Sequence, residues 1–332
     1  MNTPPVSDTW ARGNPYEQYI GRWSRRMAPL FLAWLDQPAG QRWLDVGCGT
    51  GALSAAILDH CRPSSLVGVE PSEGFLQLAA RNLAGQARFL AGDAAALPLD
   101  AAACDVVVSG LVLNFVPALP AALAEMQRVA ASGGTIAAYV WDYADGMEII
   151  RAFWDVAVSL DPAAAPLHEG SRFPLCEPSA LKAAFEFAGL KEVETATLDL
   201  TAAFADFDDY WRPFLGGQGP APAYAMSLPE AQRASLRDQL KSALPPAAGA
   251  AALVGAALLF IWLGDASGAA EGCLAGIWRC MPDARPPPSR LASASIGTET
   301  MPTPAIVTAS AIKMFINFIA RSVLAPSGPL IG

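Results

Sequence analysis

The sequence is poor in histidine and in closely paired cysteines. Of its 332 residues only two are histidine, and the six cysteines include no Cys-x-x-Cys pair. Zinc sites and disulfide scaffolds depend on closely spaced sets of these residues. The sequence therefore predicts no metal site and no disulfide framework, and it predicts reduced thiols, as in a cytoplasmic protein.

Charged residues are scarce, and basic residues are fewer than acidic ones. Charged residues make up 16% of the chain, with 22 Lys and Arg against 31 Asp and Glu, for a net charge of −9. A general nucleic-acid binder needs a basic surface to neutralise phosphates, so the composition predicts no nucleic-acid partner. Hydrophobic residues make up 53%, which predicts a sizeable core and excludes wholesale disorder.

The N-terminus lacks the apolar run of a secretory signal, because residues 1–19 are mostly polar. One later stretch, residues 246–264, carries no charge and approaches the ~20 apolar residues that a membrane span requires. Its high alanine and glycine content argues against insertion. The sequence therefore predicts no membrane partner, with residues 246–264 as the one candidate span.

Apolar runs alternate with helical patterns between residues 42 and 142. The runs RWLDV, SLVGVE, ARFLAG, CDVVVSGLVL and TIAAYVWD are separated by amphipathic segments, and the turn SGG precedes the last of them. This alternation predicts five strands in a parallel sheet with right-handed helical crossovers. Ligands of such sheets bind at the carboxyl ends of the strands, so we searched those ends for unusual residues.

A glycine-rich loop follows the first strand. Its glycines permit a tight turn and the close approach of a ligand. The spacing of Gly47, Gly49 and Ala52 also fits the dinucleotide-binding pattern. Two features favour another ligand. Asp45 suits a cationic amino group and would repel pyrophosphate, and Gly51 completes a Gly-x-Gly-x-Gly spacing.

Polar residues also follow the next three strands. Glu70 ends the second strand, where a carboxylate can accept both hydroxyls of a ribose. Asp93 and Ala94 follow the third strand, where an acid and a backbone amide can bind an adenine ring. Ser109 and the glycine after it end the fourth strand and would line the far end of the ligand.

These segments together carry a family resemblance. The segments that carry it are LDVGCGTG, GVEPSEGFL, AGDAAALP, CDVVVSGLVLNFVP and EMQRVAASGGTIAAYVWD. In this order they resemble the successive motifs of class I S-adenosylmethionine-dependent methyltransferases, specifically the small-molecule type 11 group. The resemblance also includes the upstream YEQYIGRWSRRMAP and the downstream FADFDDYWRPFLGGQGPAPAY, so it covers about residues 16–245. It implies a Rossmann-like, doubly wound α/β fold with a mostly parallel seven-stranded sheet and helices on both faces.

The resemblance also implies the ligand and its residues. Glu70 would bind the ribose, Asp93 and Ala94 the adenine, and the glycine loop would lie beside the methionine moiety of S-adenosylmethionine. The predicted cofactor-binding residues are Asp45, Gly47, Cys48, Gly49, Gly51, Glu70, Pro71, Asp93, Ala94 and Ser109.

The expected activity is transfer of a methyl group to a small-molecule acceptor by in-line displacement. Two alternatives stay open, namely an inactive S-adenosylmethionine-binding protein and, more distantly, an NAD-dependent oxidoreductase. No residue pattern names the acceptor or a catalytic base, although His168 is a weak candidate for such a base. The substrate-side candidates are Tyr19, Arg22, Asn114, Phe115 and Trp141.

The chain divides into four predicted regions. Residues 1–40 form an N-terminal helical cap, 41–145 the cofactor-binding core, 146–245 the substrate cap and closing elements, and 246–332 an atypical tail. The resemblance ends at about residue 245. The tail therefore contains the closing strand, or a membrane anchor, or unrelated sequence from a shifted reading frame, and the last hypothesis is favoured.

Overall fold

Five parallel strands form the centre of the structure, which is a computed structural model. It describes residues 17–143, 145–217 and 219–244, together with the backbone of 251–263. The strands are β1 (Arg42–Val46), β2 (Ser65–Glu70), β3 (Arg88–Ala91), β4 (Cys104–Gly110) and β5 (Ala130–Trp141). Their order in the sheet is β3-β2-β1-β4-β5, with every neighbouring pair parallel. The predicted Rossmann-like α/β fold is confirmed for these five strands.

Helices connect β1 to β2, β2 to β3 and β4 to β5, as the alternation predicts, whereas residues 92–103 join β3 to β4 without a helix. A further helix precedes β1. These helices are α1 (Arg22–Leu35), which follows a π-helical turn at Glu17–Gly21, and then α2 (Ala52–Cys61), α3 (Glu73–Asn82) and α4 (Leu119–Val129). Helix α4 carries a proline in its first turn, where the missing N–H is not needed. Helix α1 packs against α2 and buries one apolar face, which includes Met27 and Phe31.

A mixed segment follows β5 and covers one end of the sheet. Its elements are α5 (Glu148–Leu160), α6 (Glu169–Arg172), α7 (Pro178–Phe187), β6 (Glu194–Phe204), α8 (Phe207–Trp211), α9 (Pro220–Ser227) and α10 (Glu230–Ala243). The backbone of β7 (Ala251–Leu263) runs antiparallel to both β5 and β6 and lies between them. Most of the candidate membrane span therefore has strand backbone, which is the arrangement of the closing-strand alternative.

The hypotheses about the rest of the tail concern residues 264–332, which lie outside the described part of the chain, as do residues 1–16. No helix among the described residues is long and apolar enough to cross a bilayer.

The start of β5 differs from the prediction of a turn at SGG. The strand begins at Ala130, and its pairing with β4 shifts register between Cys104 and Val106. Gly133 has a φ of +74° within this stretch, so the chain absorbs the extra residues as an irregularity in the strand. The two glycines thus lie within β5, at an irregular part of the strand, and the strand continues through them.

Candidate functional site

A cavity of about 590 Å³ lies at the carboxyl ends of the parallel strands. Its volume is in the range of pockets that hold cofactors and small molecules. The structure brings most of the predicted site residues together in its wall. Those that line the cavity are Asp45, Gly47, Cys48, Gly49, Glu70, Pro71, Asp93, Ala94, Phe115 and Trp141.

The glycine loop between β1 and α2 forms one wall. Gly47 and Gly49 have φ values of +73° and +54°, which L side chains rarely adopt. A Cβ on Gly47 would lie 2.6 Å from Val112 Cγ1. The Gly47 and Cys48 amides both donate to the Val69 carbonyl, at 2.8 and 3.1 Å. The loop is therefore held against β2 with backbone, and not side chains, next to the cavity.

Asp45 lies at the base of this wall and is 1% exposed. Its Oδ2 accepts a hydrogen bond of 2.6 Å from the Ser54 hydroxyl, and its Oδ1 has no partner among the described residues. Burial raises the pKa of Asp45 to about 7, the charge of Glu70 adds to the rise, and the Ser54 hydrogen bond opposes it. A bound cation would compensate this buried carboxylate.

Glu70 ends β2 and is held from both sides. Its Oε2 accepts from the Gly49 amide at 3.1 Å, and its Oε1 accepts from the Ser72 amide at 2.9 Å. Burial raises the pKa of Glu70, whereas these two amides oppose the rise. Each carboxylate oxygen has more than one lone pair, so both can still accept a hydroxyl of a ligand. This geometry suits the ribose that the sequence predicts at Glu70.

Asp93 follows β3 at the outer rim of the cavity. Its Oδ1 accepts a hydrogen bond of 2.7 Å from the Ala95 amide, which fixes the turn after the strand. Next to it, a Cβ on Gly92 would lie 2.8 Å from Pro98 Cδ, so only glycine fits there. The turn presents the Asp93 carboxylate together with the backbone of Ala94, as an adenine site requires.

The other end of the cavity is apolar and aromatic. Ile20, Phe115, Trp141 and Tyr143 line it. The Phe173 ring, from the segment after α6, contacts Phe115 edge-on with centroids 4.9 Å apart and lies 5.8 Å from the Tyr143 ring. Phe173 thus brings the segment that covers the sheet into contact with the cavity wall.

Two predicted cofactor residues lie outside the cavity wall. Ser109 is fully buried, and its hydroxyl donates to the Val46 carbonyl at 2.9 Å, so it ties β4 to β1. Gly51 precedes α2 with a φ of +89°, and a Cβ there would meet Leu83 and Ala79 at 3.2 and 3.3 Å. Both assignments stay predictions, because the contacts seen for these two residues are with neighbouring strands and helices.

Three substrate-side candidates also lie outside the wall. Arg22 pairs with Asp209 at 2.9 Å and stacks on the Phe204 ring at 4.6 Å. Ile20, in the π-helical turn, and Ser24, in α1, line the cavity instead. Tyr19 is buried against Phe214. Asn114 is absent from the lining, and its Nδ2 is buried without a partner among the described residues.

His168 does not reach the cavity wall either. Its Nδ1 accepts a hydrogen bond of 2.9 Å from the Gly170 amide and so caps α6. Burial lowers the pKa of His168, and the charge of Asp155 opposes that shift. The nitrogen lone pair that a base would use is occupied by the backbone, so the structure corrects the prediction of His168 as a base.

Sequence reasoning missed several lining residues, including Leu111, Val112 and Tyr143. Leu111 and Val112 belong to the apolar run CDVVVSGLVL, which predicts one uninterrupted strand. The strand ends at Gly110 instead, and Leu111 has a φ of +64°. A leucine gives no local signal for such a turn. Tyr143 lies two residues after the end of β5, so its position near a strand end was the available signal.

The residues in the wall fit the cofactor that the motifs imply. Two buried carboxylates lie at the polar end, one of them with an oxygen that has no partner among the described residues. A nucleoside with a cationic amino acid part matches that end by hydrogen bonding and by charge.

Comparison with known proteins agrees with this site. A family model described as a methyltransferase domain matches residues 44–138. The chain is 34% identical over 181 residues to the malonyl-[acyl-carrier protein] O-methyltransferase of Serratia marcescens, covering 51% of this chain and 70% of that protein. It is 28% identical over 130 residues to the trans-aconitate 2-methyltransferase of Acidovorax sp. (strain JS42), covering 39% of this chain and 49% of the relative.

A solved structure shares the fold. The structure from Anabaena variabilis, described as a methyltransferase of an antibiotic biosynthesis pathway, has a TM-score of 0.51 at 20% identity. The match covers 71% of this chain and 96% of that one. The predicted activity and cofactor are confirmed by the family match and the curated relative. This chain belongs to the class I S-adenosylmethionine-dependent methyltransferases, within their type 11 group, and its cofactor is S-adenosylmethionine.

Proposed function

We propose that Glu70, Asp93 and Asp45 hold successive parts of S-adenosylmethionine along the strand ends. Glu70 accepts the two ribose hydroxyls, Asp93 and the Ala94 backbone bind the adenine, and the Asp45 carboxylate compensates the cationic amino group. The observation that carries this proposal is the fixed carboxylate of Glu70, held between the Gly49 and Ser72 amides at the centre of the cavity wall.

When bound, S-adenosylmethionine supplies a methyl group on a positively charged sulfur, which is open to in-line displacement. The protein contributes position and the exclusion of water. Phe115, Trp141 and Tyr143 form an apolar wall against which an acceptor can be oriented. Orientation alone can contribute up to ~7–11 kcal/mol to the lowering of a barrier.

We propose that the acceptor is a small molecule with a carboxylate on an otherwise apolar body. A carboxylate is ionised at neutral pH, so its oxygen attacks without a catalytic base. This agrees with the use of His168 as a helix cap and with the assignment of Asp45 and Glu70 to the cofactor. The names of the two curated relatives, which refer to malonyl and trans-aconitate, both denote carboxylic acids.

An acceptor panel tests this proposal. Purified protein is incubated with methyl-labelled S-adenosylmethionine and matched sets of acids, alcohols, phenols and amines that share the same apolar bodies. The acids are offered free and as half-acids on a pantetheine thioester, which separates a free from a carrier-linked acceptor. We expect methyl ester formation from acids, and transfer only to amines or phenols would contradict the proposal.

We also propose that different regions of the chain bind the cofactor and cover the acceptor. Residues 41–145 form the cofactor-binding core, and residues 1–40 and 146–245 cap the acceptor end. Ile20 and the contacts of Phe173 with Phe115 and Tyr143 support this division. The pairing of β7 with β5 and β6 supports a seven-stranded sheet as the complete fold. The net charge of −9 supports an enzyme of small molecules without a nucleic-acid partner. The free cysteines at Cys48, Cys61, Cys104 and Cys176 support a cytoplasmic location.

A further inference from the structure

Leu111 holds an unusual backbone conformation at the cavity. Its φ is +64°, in the left-handed region that L side chains other than Asn and Asp rarely adopt. Among the described residues, the non-glycine positions with positive φ are Asp36, Arg62, Ala102, Leu111 and Glu192. Of these five, Leu111 alone lines the cavity. Strained residues of this kind cluster at functional sites, where the surroundings over-determine them.

The surroundings of Leu111 enforce this conformation. Its amide donates a hydrogen bond of 2.7 Å to the Tyr139 carbonyl on β5. The preceding Gly110 has no room for a side chain, because a Cβ there would lie 2.7 Å from Tyr139 Oη. The end of β4 is therefore pressed against Tyr139, and the chain leaves the strand through the left-handed turn at Leu111.

This turn places Val112 on the cofactor side of the cavity and Phe115 on the acceptor side. Val112 comes to lie on the glycine loop, with its Cγ1 2.6 Å from the position of a Cβ on Gly47. The short 3-10 turn that follows, Leu113–Phe115, brings Phe115 into the aromatic wall and against Phe173. One strained residue thus sets the spacing between the cofactor side and the acceptor side of the cavity.

We propose that Leu111 is a positioning residue for methyl transfer. Its left-handed turn fixes Val112 against the glycine loop and Phe115 against the acceptor, and so holds the acceptor in line with the methyl group. The inference rests on the proposed function of the cavity. It assigns Leu111 no contact with a reacting atom.

Two variants separate the conformation of residue 111 from its size. Leu111→Ile keeps the volume and apolar character, but its β-branched side chain disfavours positive φ. Leu111→Asn is of similar length and tolerates positive φ. We expect Leu111→Ile to lower kcat by about 10- to 100-fold while the Kd for S-adenosylhomocysteine changes by less than about threefold. We expect Leu111→Asn to lose at least about threefold less kcat than Leu111→Ile, because asparagine keeps the left-handed turn.

A control and a structure complete the test. Arg62→Ile also introduces a β-branched residue at a positive φ, here +47°, but at a helix end away from the cavity. This variant should lower Tm without changing kcat. Crystals of Leu111→Ile with S-adenosylhomocysteine should show Val112 and Phe115 displaced. Wild-type kcat in Leu111→Ile, equal losses in Leu111→Ile and Leu111→Asn, or undisplaced side chains would overturn the inference. Failure of the proposed function has a different signature, because the wild type itself would then not bind S-adenosylhomocysteine.

Discussion

At the scale of single residues, the polar end of the cavity is governed by two buried carboxylates with raised pKa values. Burial is the largest cause for both Asp45 and Glu70. A cation bound beside them favours their ionised forms and lowers both pKa values. Cofactor binding and proton release are therefore linked at this site.

The first prediction is a pH dependence of cofactor binding. Asp45 has a pKa of about 7 without ligand, and the amino group of the ligand requires its anion. Affinity for S-adenosylhomocysteine should therefore fall by up to about tenfold per unit as pH drops from about 7 to about 5. Asp45→Asn should bind weakly, with a smaller pH dependence than the wild type because only Glu70 then contributes to the linkage. Calorimetry across this range measures both, and a pH-independent wild-type Kd would contradict the linkage.

The second prediction concerns Glu70. Glu70→Gln removes the charge and replaces one acceptor oxygen with a donor, so it should weaken S-adenosylhomocysteine binding by about 10- to 100-fold. Glu177→Gln is a matched control, because Glu177 also accepts an amide two residues on, from Ser179, at an exposed helix start. Calorimetry on both variants checks this. Equal Kd values in Glu70→Gln and Glu177→Gln would argue against a ribose on Glu70.

Sequence and structure agree best on the residues that sit directly at strand ends. Asp45, Glu70 and Asp93 were predictable because parallel strands bring their carboxyl ends together wherever the helices lie. Arg22 and Tyr19 were not, because the face that α1 turns to the cavity depends on the π-helical turn before it. Leu111 was not predictable either, since its turn is imposed by Tyr139, which is distant in sequence.

At the scale of elements, the short helix α6 is anchored by a buried carboxylate. Glu169 is 1% exposed and accepts a hydrogen bond from Trp154 Nε1 on α5. Burial raises the pKa of Glu169 to about 8, with hydrogen bonds and the charge of Arg172 opposing the rise. The protonated, neutral form is thus the one that the folded state favours near neutral pH.

The third prediction is a stability that depends on Glu169 and pH. The folded pKa lies above the unfolded one, so the contribution of the neutral form is complete at low pH and is lost as pH rises toward about 8. The slope from this group is up to about 1.4 kcal/mol per pH unit. Glu169→Gln, a neutral isostere, should match the wild type near pH ~5 and exceed its Tm near pH ~8.

Thermal unfolding at several pH values measures this effect. The exposed Glu194→Gln serves as the control and should follow the wild-type profile. A Glu169→Gln profile parallel to that of the wild type would show that Glu169 does not titrate in this range.

The fourth prediction concerns the link between the cap and the cavity. Phe173→Ala removes the ring that contacts Phe115 and Tyr143, and aromatic pairs contribute ~0.5–1.5 kcal/mol beyond their buried area. The KM of the acceptor should rise by about 3- to 10-fold, while the Kd for S-adenosylhomocysteine is retained. Phe187→Ala, at an 88% exposed phenylalanine, is the control in the same steady-state assay. A loss of cofactor affinity in Phe173→Ala would contradict the division between core and cap.

The sequence also predicts some secondary-structure elements better than others. The five strands and their connecting helices follow from the alternation of apolar runs, because each parallel strand is buried on both faces. The covering segment was predicted only as an aromatic-rich cap. The contacts of Phe173 with the cavity wall depend on the fold of α6 and the turns around it, for which local pattern gives no rule.

At the scale of the whole molecule, the fold places three carboxylates along one edge of a parallel sheet and an aromatic chamber beside them. That arrangement explains why a chain with few charges and few histidines is an enzyme. The cofactor supplies the reactive methyl group, and the protein supplies position. The chemistry of the acceptor then decides whether a base is needed at all.

Calorimetric titration of the wild-type protein with S-adenosylhomocysteine and, separately, with NADH tests the central claim most directly. The account predicts one-to-one binding of S-adenosylhomocysteine, competition by S-adenosylmethionine, and no heat from NADH. Tight NADH binding with no signal from S-adenosylhomocysteine would contradict it.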